Sequence, residues 1–403
     1  LTLFGLLTAC GSADREPAPQ RLRFWHTFNP VETEALNQLL ARGELAPVET
    51  TLLPFARGKP ILDEVLADRE MRDDCPALAR IDATWLPDLD RRGLIRPVPD
   101  QVWRARDWLP EAAEMADGGS GVPMGLPQSI DGLALIARRG TLARAGLAPP
   151  ATLNELLADA HRLTRDGVSG LGMRVDGYWF AAFLRASGGE LADPAARRLG
   201  VDEPIAAEAL QHFAELFGPG GVAGPPPPSG SEAEDEVRRF RAGALAIAVD
   251  GPWAAPALGG GDTGELEVAP FPPDGQRRPA APRGGHLLVV PLCARDQEAA
   301  WQLALALTDP ALQADWARRF GTIPTTATGL AGAGPFAQDF HAALALARPL
   351  PRHPLTAELF DDLNPAIAAV VAGDATAQEA LAGVARAWTR LFQRHHIAPL
   401  PPP

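Results

Sequence analysis

Six small apolar residues, Ala244 to Val249, run without interruption between Gly243 and the break Asp250-Gly251-Pro252. The segment before them, Glu232 to Arg241, is charged like a solvent-facing helix, and Gly243 suits the left-handed position that closes one. An unbroken apolar run of this length is what a strand covered on both faces needs, and such strands belong to sheets flanked by helices. Pro252 fits the first turn of a new helix. Trp253 is therefore delivered just past the carboxyl end of a buried strand, where open α/β sheets bind their ligands. Packing between layers is the competing role for this Trp.

The rest of the chain alternates in the same way. Leu22 to Trp25, Val48 to Leu53 and Ala79 to Ala83 read as strands, with helices over Val31 to Leu40 and Pro60 to Asp68 between them. This alternation predicts parallel βαβ units in a doubly wound sheet. A crossing near Leu126 to Ile130 leads to a strand over Gly132 to Ala137. Helices over Leu153 to Arg165, Trp179 to Ala186, Ile205 to Phe217 and Glu234 to Arg241 build a second body. Leu287 to Pro291 and a helix over Asp296 to Leu307 return to the first, and Thr325 to Gly334 reads as a flexible crossing back. Phe336 to Ala347, Ala357 to Val371 and Thr376 to Phe392 are expected to be C-terminal helices. Gly218 to Gly230, with four consecutive prolines from Pro225, reads as a stiff exposed loop. A length of 403 residues admits two to three domains.

Composition narrows the partners. With 50 acidic and 37 basic residues the formal charge is −13, which excludes nucleic acid as a partner, because phosphate binding needs clustered Lys and Arg. Lys59 is the sole lysine. The chain has no Gly-x-Ser-x-Gly elbow, no phosphate-binding Gly-x-x-x-x-Gly-Lys-Ser/Thr loop and no His-Glu-x-x-His helix, so no catalytic role and no cofactor or metal site is expected. His395-His396, Asp73-Asp74 and Asp361-Asp362 read as solvated charge, and Gly259 to Gly261 as a loop. Near the start, Leu7-Thr8-Ala9-Cys10 follows a short apolar stretch and precedes a Pro-rich tether. It resembles a bacterial lipobox, with Cys10 as the lipidated residue, and the lack of a charged segment and initiator Met before it suggests a truncated start. Cys75 and Cys293 fall in the same body, but the sequence does not tell whether their Cα atoms come within bridging reach. Two buried free thiols are the expectation.

The segment from Phe240 to Trp253 resembles the "F-x-x-G-x-x-A-M-x-x-x-G-P-W" signature of maltose-binding-like extracellular solute-binding proteins of ABC importers, with Ala246 or Ile247 in place of the usual Met. Arg23 to Phe28 is similar to that family's first strand. Gly125-Leu126-Pro127 through Ala137-Arg138 is similar to its "G-x-P-x-x-x-x-x-x-L-x-Y-N" crossing, and Leu142 to Thr152 to its "aGl-x-x-P-x-T" helix start. Gly284-Gly285, Ala299-Ala300-Trp301, Thr308-Asp309-Pro310 and Gly321-Thr322-Ile323-Pro324 follow in the family's order. The resemblance covers roughly residues 20 to 392.

It implies a periplasmic-binding-protein-like fold of two doubly wound α/β domains joined by a hinge of about three crossings. A leader and tether would occupy 1–20, an N-terminal lobe 21–127 plus 284–325, a C-terminal lobe 128–283 plus 326–393, and a disordered tail 394–403. The implied function is to bind a carbohydrate, an oligosaccharide by preference, in the cleft and deliver it to the transmembrane permease of an ABC importer. The protein would be a lipid-anchored monomer, periplasmic or otherwise outside the cytoplasmic membrane. By position the resemblance assigns ligand contacts to Trp25, His26, Asn29, Asp82, Thr84, Trp85, Asp131, Asp176, Tyr178, Trp179, Trp253 and Phe360. The basic contact frequent after the family's third strand is missing, so the kind of sugar does not carry over. A non-sugar solute (polyamine, phosphodiester, peptide or metal chelate) in the same fold is the alternative, and a secreted enzyme on a two-lobed scaffold a remote one.

Overall fold

The computed structural model describes residues 21–397 except 44–46, 69, 166, 194–197, 229 and 260–262. Cys10, the tether behind it and the residues from 398 onward lie outside the described residues. In chain order the strands are β1 (Leu22–His26), β2 (Val48–Leu52), β3 (Leu78–Asp82), β4 (Leu126–Gly132), β5 (Ala134–Arg138) and β6 (Ser169–Gly172). They continue as β7 (Ala192–Asp193), β8 (Arg198–Leu199), β9 (Leu245–Asp250), β10 (Leu266–Pro270), β11 (Ala281–Val289) and β12 (Ala347–Pro349). Two mixed sheets and a small β7–β8 ribbon result.

In the first sheet β2, β1 and β3 are parallel, as the βαβ alternation predicts. β11 then runs antiparallel to β3, with His286 opposite Asp82. β4 lies antiparallel on its other edge, pairing Ser129 with His286 and Asp131 with Gly284. The second sheet has the order β10-β5-β9-β6, in which only β9 and β6 are parallel. The antiparallel members are the strands that pass between bodies. β4 enters β5 with only Leu133 between them, and β10 leads through 271–280 into β11.

β9 is the buried strand that the apolar run predicts, inaccessible from Ile247 to Asp250. It belongs to a large apolar core that includes Phe180, Phe213, Phe240 and Trp388, while smaller cores lie against the first sheet. The helices Thr356–Ala372 and Ala377–Arg394 close the second body; the latter starts in a capping box of Thr376 and Glu379.

Three expectations are corrected. The helix expected over 336–347 ends at Ala343, and Ala347–Pro349 instead joins β11 as β12. Pro349 and Pro351 cannot extend a helix, and Arg348 Nε bonds the Pro279 carbonyl at 2.9 Å. The segment from Thr325 is not a flexible crossing. Thr325 and Thr326 are fully buried, and the Gln313 amide donates to Thr325 Oγ1 and the Gln128 carbonyl at 2.9 and 3.0 Å. Thr326 caps the short helix Ala327–Ala331. Finally, Cys75 and Cys293 form a disulfide with Cα atoms 6.1 Å apart. Antiparallel pairing of Ala79 with Val289 brings the residues before β3 and after β11 to one sheet end, a juxtaposition that 218 residues of separation hides from the sequence.

Candidate ligand-binding cleft

A cleft of about 920 Å³ opens between the two bodies. One wall carries aromatic rings from the second body. β9 ends at Asp250, and Gly251 turns the chain so that the Trp253 ring folds back over it; a Cβ on Gly251 would lie 2.2 Å from the ring. Trp253 meets Trp179 edge-on at 6.4 Å, and Trp179 meets Tyr178 at 5.9 Å. Trp179 is held from behind. Its indole N–H donates to the Val249 carbonyl, and the Arg174 guanidinium lies 4.7 Å from its ring centre.

Tyr178 and Trp179 open the helix Gly177–Ala186, which Asp176 caps by accepting from the Tyr178 amide at 2.7 Å. Asn364 clamps the same turn, donating to Asp176 at 3.1 Å and accepting from the Gly177 amide at 2.7 Å. A side chain at Gly177 would strike Phe360 and Asn364, so glycine lets the two helices approach and brings Phe360 to the cleft.

The facing wall is charged. Asp82 ends β3 and accepts from the Thr84 amide at 2.8 Å and from its hydroxyl. Asp131 on β4 lies 3.4 Å from His286 Nδ1 on β11, and Ser129 Oγ lies 3.3 Å from the same nitrogen. Beneath them Arg80 donates to Gln128 at 2.8 Å and to Thr27 at 2.9 Å, with its guanidinium 4.2 Å from the Phe28 ring centre. Burial sets the protonation states. It raises Asp131 to about 7 against the opposing pull of Arg80, and it lowers His286 to about 3, with Arg80 acting in the same sense. It also raises Asp82 and, with the nearby charges of Asp131 and Asp82, raises the Tyr178 phenol.

Asn29, Asp82, Thr84, Trp85, Asp131, Asp176, Tyr178, Trp179, Trp253 and Phe360 all line this cleft. Trp25 and His26 do not. Trp25 packs against the apolar core that includes Leu53 and Ile81. His26 is 1% exposed between Phe24 and Phe28, and burial followed by the charge of Arg80 lowers its pKa to about 4.

Lys59, Arg80, Arg174, His286 and Arg352 also line the cleft, and the sequence reading missed them. Two had a signal. Arg80 stands inside the apolar strand Leu-Ala-Arg-Ile-Asp, where a cation is out of place, and Lys59 is the sole lysine. After the third strand stand Ala83 and Thr84, so no basic residue follows it directly, and Arg80 lies within it. Among the described residues no group of three or more His, Cys, Asp or Glu side chains is placed to hold a metal ion. No helix among them is long and apolar enough to cross a membrane.

The fold is similar to that of several solved ligand-binding proteins. The GacH receptor of Streptomyces glaucescens, solved unliganded and with acarbose, shares 25% identity over 93% of this chain and 98% of its own, with a TM-score of 0.78. The maltose-bound MalE3 of T. maritima shares 21% over 92% and 99%, also at 0.78. UgpB of Mycobacterium tuberculosis, solved with glycerophosphocholine, shares 16% over 93% and 99%, at 0.76. A search of functionally curated proteins finds no match. Residues 70–343, more than half of the chain, match the family model of the bacterial extracellular solute-binding proteins. This chain belongs to that family of ligand-binding transport proteins.

Proposed function

We propose that this protein binds an oligosaccharide in the cleft and hands it to the permease of an ABC importer. The observation that carries the reading is the pairing of an aromatic wall (Tyr178, Trp179, Trp253) with a wall of hydrogen-bonding acids around Asp82 and Asp131. A sugar ring offers an apolar C–H face to the first and hydroxyls to the second. Burying ~100 Å² of such a face contributes on the order of 2.5 kcal/mol. A volume of about 920 Å³ lies at the upper end of the roughly 300–1,000 Å³ range of small-molecule clefts, which favours an oligosaccharide over one ring.

A phosphodiester fits less well. Of the cleft cations, Lys59 is bound to Asp63 and Asp88, Arg174 to Glu236 and Asp250, Arg283 to Glu114 and Arg352 to Glu114 and Asp117, while Arg80 is held by Gln128 and Thr27 amid the charges of Glu32, Asp131 and Asp82. An anion would have to displace those partners.

The two bodies act as lobes that close about three crossings, and ligand contacts that form only on closure set the affinity. We assign 21–127 with 284–325 to one lobe and 128–283 with 326–393 to the other. A lipidated Cys10 anchors the monomer outside the cytoplasmic membrane, and the protein acts as a binder rather than an enzyme. A thermal-shift screen of mono- and oligosaccharides tests the ligand. A true ligand at 100 times its dissociation constant stabilises by ~2.7 kcal/mol, whereas a panel without any shift would remove the sugar reading. Replacing Cys10 by Ser should move the protein from the membrane to the soluble fraction, and unchanged membrane association would refute the anchor.

A further inference from the structure

We propose that the solute carries a protonated amine, as in an aminated oligosaccharide, and that its ammonium group sits between Asp82 and Asp131 and the rings of Tyr178 and Trp253. The proposal rests on the carbohydrate reading and narrows it.

Three strands build the acidic side in register. His286 on β11 faces Asp82 on β3 across one edge and Ser129 on β4 across the other, while Asp131 on β4 reaches its Nδ1 at 3.4 Å. Arg80 lies beneath this row and feels the charges of Glu32, Asp131 and Asp82. One fixed cation thus faces three carboxylates. His286 adds no positive charge, because burial and Arg80 keep it neutral at ordinary pH. Lys59, Arg174 and Arg283 are committed to Asp63 and Asp88, to Glu236 and Asp250, and to Glu114. Arg352 leans on Glu114 and Asp117 at 3.9 and 3.7 Å.

The opposite wall supplies what a cation seeks from its other side. Tyr178 and Trp253 belong to the second body and line the same cleft as Asp82 and Asp131, so the aromatic wall and the acidic row enclose one space. Arg174 already covers Trp179, so of the three rings of the aromatic wall Tyr178 and Trp253 remain for an incoming cation. When closure expels water, carboxylates facing a neutral sugar lose hydration without a compensating charge, and that is costly. An ammonium group restores the balance. An ammonium group beside Asp131 also favours its ionised form, which burial opposes.

The test is calorimetric titration near neutral pH with glucosamine dimers and trimers, each against its neutral glucose counterpart and its N-acetylated form. The aminated member should bind at least about tenfold tighter than either control, a gap of ~1.4 kcal/mol. The gap should shrink as salt rises from low concentration to about 0.15 M, because only the charged contact is screened. Asp82→Asn combined with Asp131→Asn should bring the aminated sugar down to the affinity of its neutral and N-acetylated counterparts, with circular dichroism and the melting temperature reporting that the variant is folded. Neutral sugars binding as tightly as aminated ones in the wild type would overturn the proposal and leave the carbohydrate reading standing. Binding of spermidine, or of nothing, with no carbohydrate bound, would overturn both.

Discussion

Trp253 owes its position to its neighbour but one. Gly251 has φ −94° and ψ 173°, which any residue adopts, so Gly251→Ala costs little in the backbone. The added Cβ would nevertheless sit 2.2 Å from the indole, and the ring must swing away. We expect a folded Gly251→Ala protein whose sugar affinity falls by at least about tenfold; unchanged affinity in calorimetry would mean that the ring does not touch the ligand. Trp253→Ala should lower affinity by about two orders of magnitude through lost apolar contact. It should also lower the melting temperature modestly, since the ring leans on Trp179 and the core. Asp131 makes a prediction in pH. Its folded pKa of about 7 exceeds the unfolded value near ~3.9, so between those limits the native state holds a proton that the unfolded state lacks. Stability from this group is full below the lower value and is lost as pH rises through the upper one, by up to ~1.4 kcal/mol per unit. His26 and His286, lowered to about 4 and about 3, act in the opposite sense: they cost stability as pH falls from ~6.5. Asp131→Asn isolates the first effect. Its melting temperature relative to wild type should climb from pH 4 to pH 7, and a pH-independent difference would show that Asp131 ionises freely. Trp253 and Asp131 were legible because chain breaks and family motifs mark them. His286 was not, because its role comes from two strands paired beside it.

At the level of elements, local signals served well and long-range ones poorly. The strand Leu245–Asp250 and the two C-terminal helices follow from apolar runs and periodicity, within a residue or two at most ends. β12 and the buried Thr325 segment did not, because three residues beside prolines carry no periodicity and a Gln–Thr network has no pattern in one dimension. The disulfide is the clearest case. It ties the start of β3 to the end of β11, the antiparallel pair that presents Asp82 and His286 to the cleft. Closing a loop of 218 residues removes unfolded-state entropy worth up to ~5 kcal/mol in the chain-entropy model. Reduction, or Cys75→Ser with Cys293→Ser, should therefore lower the melting temperature by several degrees while sugar affinity in the folded state stays close to wild type. A melting curve indifferent to reductant would deny the bond a stabilising role.

For the whole molecule, the question is what holds the bodies together before a ligand arrives. The helix Phe55–Ala67 of the first body carries Lys59, and the helix Thr356–Ala372 of the second carries Glu358. The Lys59 ammonium lies 2.7 Å from Asp63, 3.1 Å from Asp88 and 3.5 Å from Glu358, and Glu358 approaches His395 at 3.7 Å. Lys59 is only 7% exposed, so water screens these charges weakly. Its carboxylate partners raise its pKa against the opposing effect of burial. Two partners belong to its own body, so it stays charged and anchored if the third leaves. Of the three, the Glu358 contact is the one that reaches the other body, as the pairs of Arg352 with Glu114 and Asp117 also do, and opening must break it. Glu358→Gln keeps the size and removes the charge. In the ligand-free protein it should raise the radius of gyration in solution scattering. It should also speed acylation of the sole lysine side chain by amine-reactive reagents, because the open cleft exposes Lys59. Saturating ligand should restore both values toward wild type, since ligand contacts then replace the lost bond. Asp63→Asn perturbs Lys59 as strongly without touching the interbody contact, and it should leave the radius unchanged. Equal radii for Glu358→Gln and wild type would show that the Lys59–Glu358 pair does not govern opening.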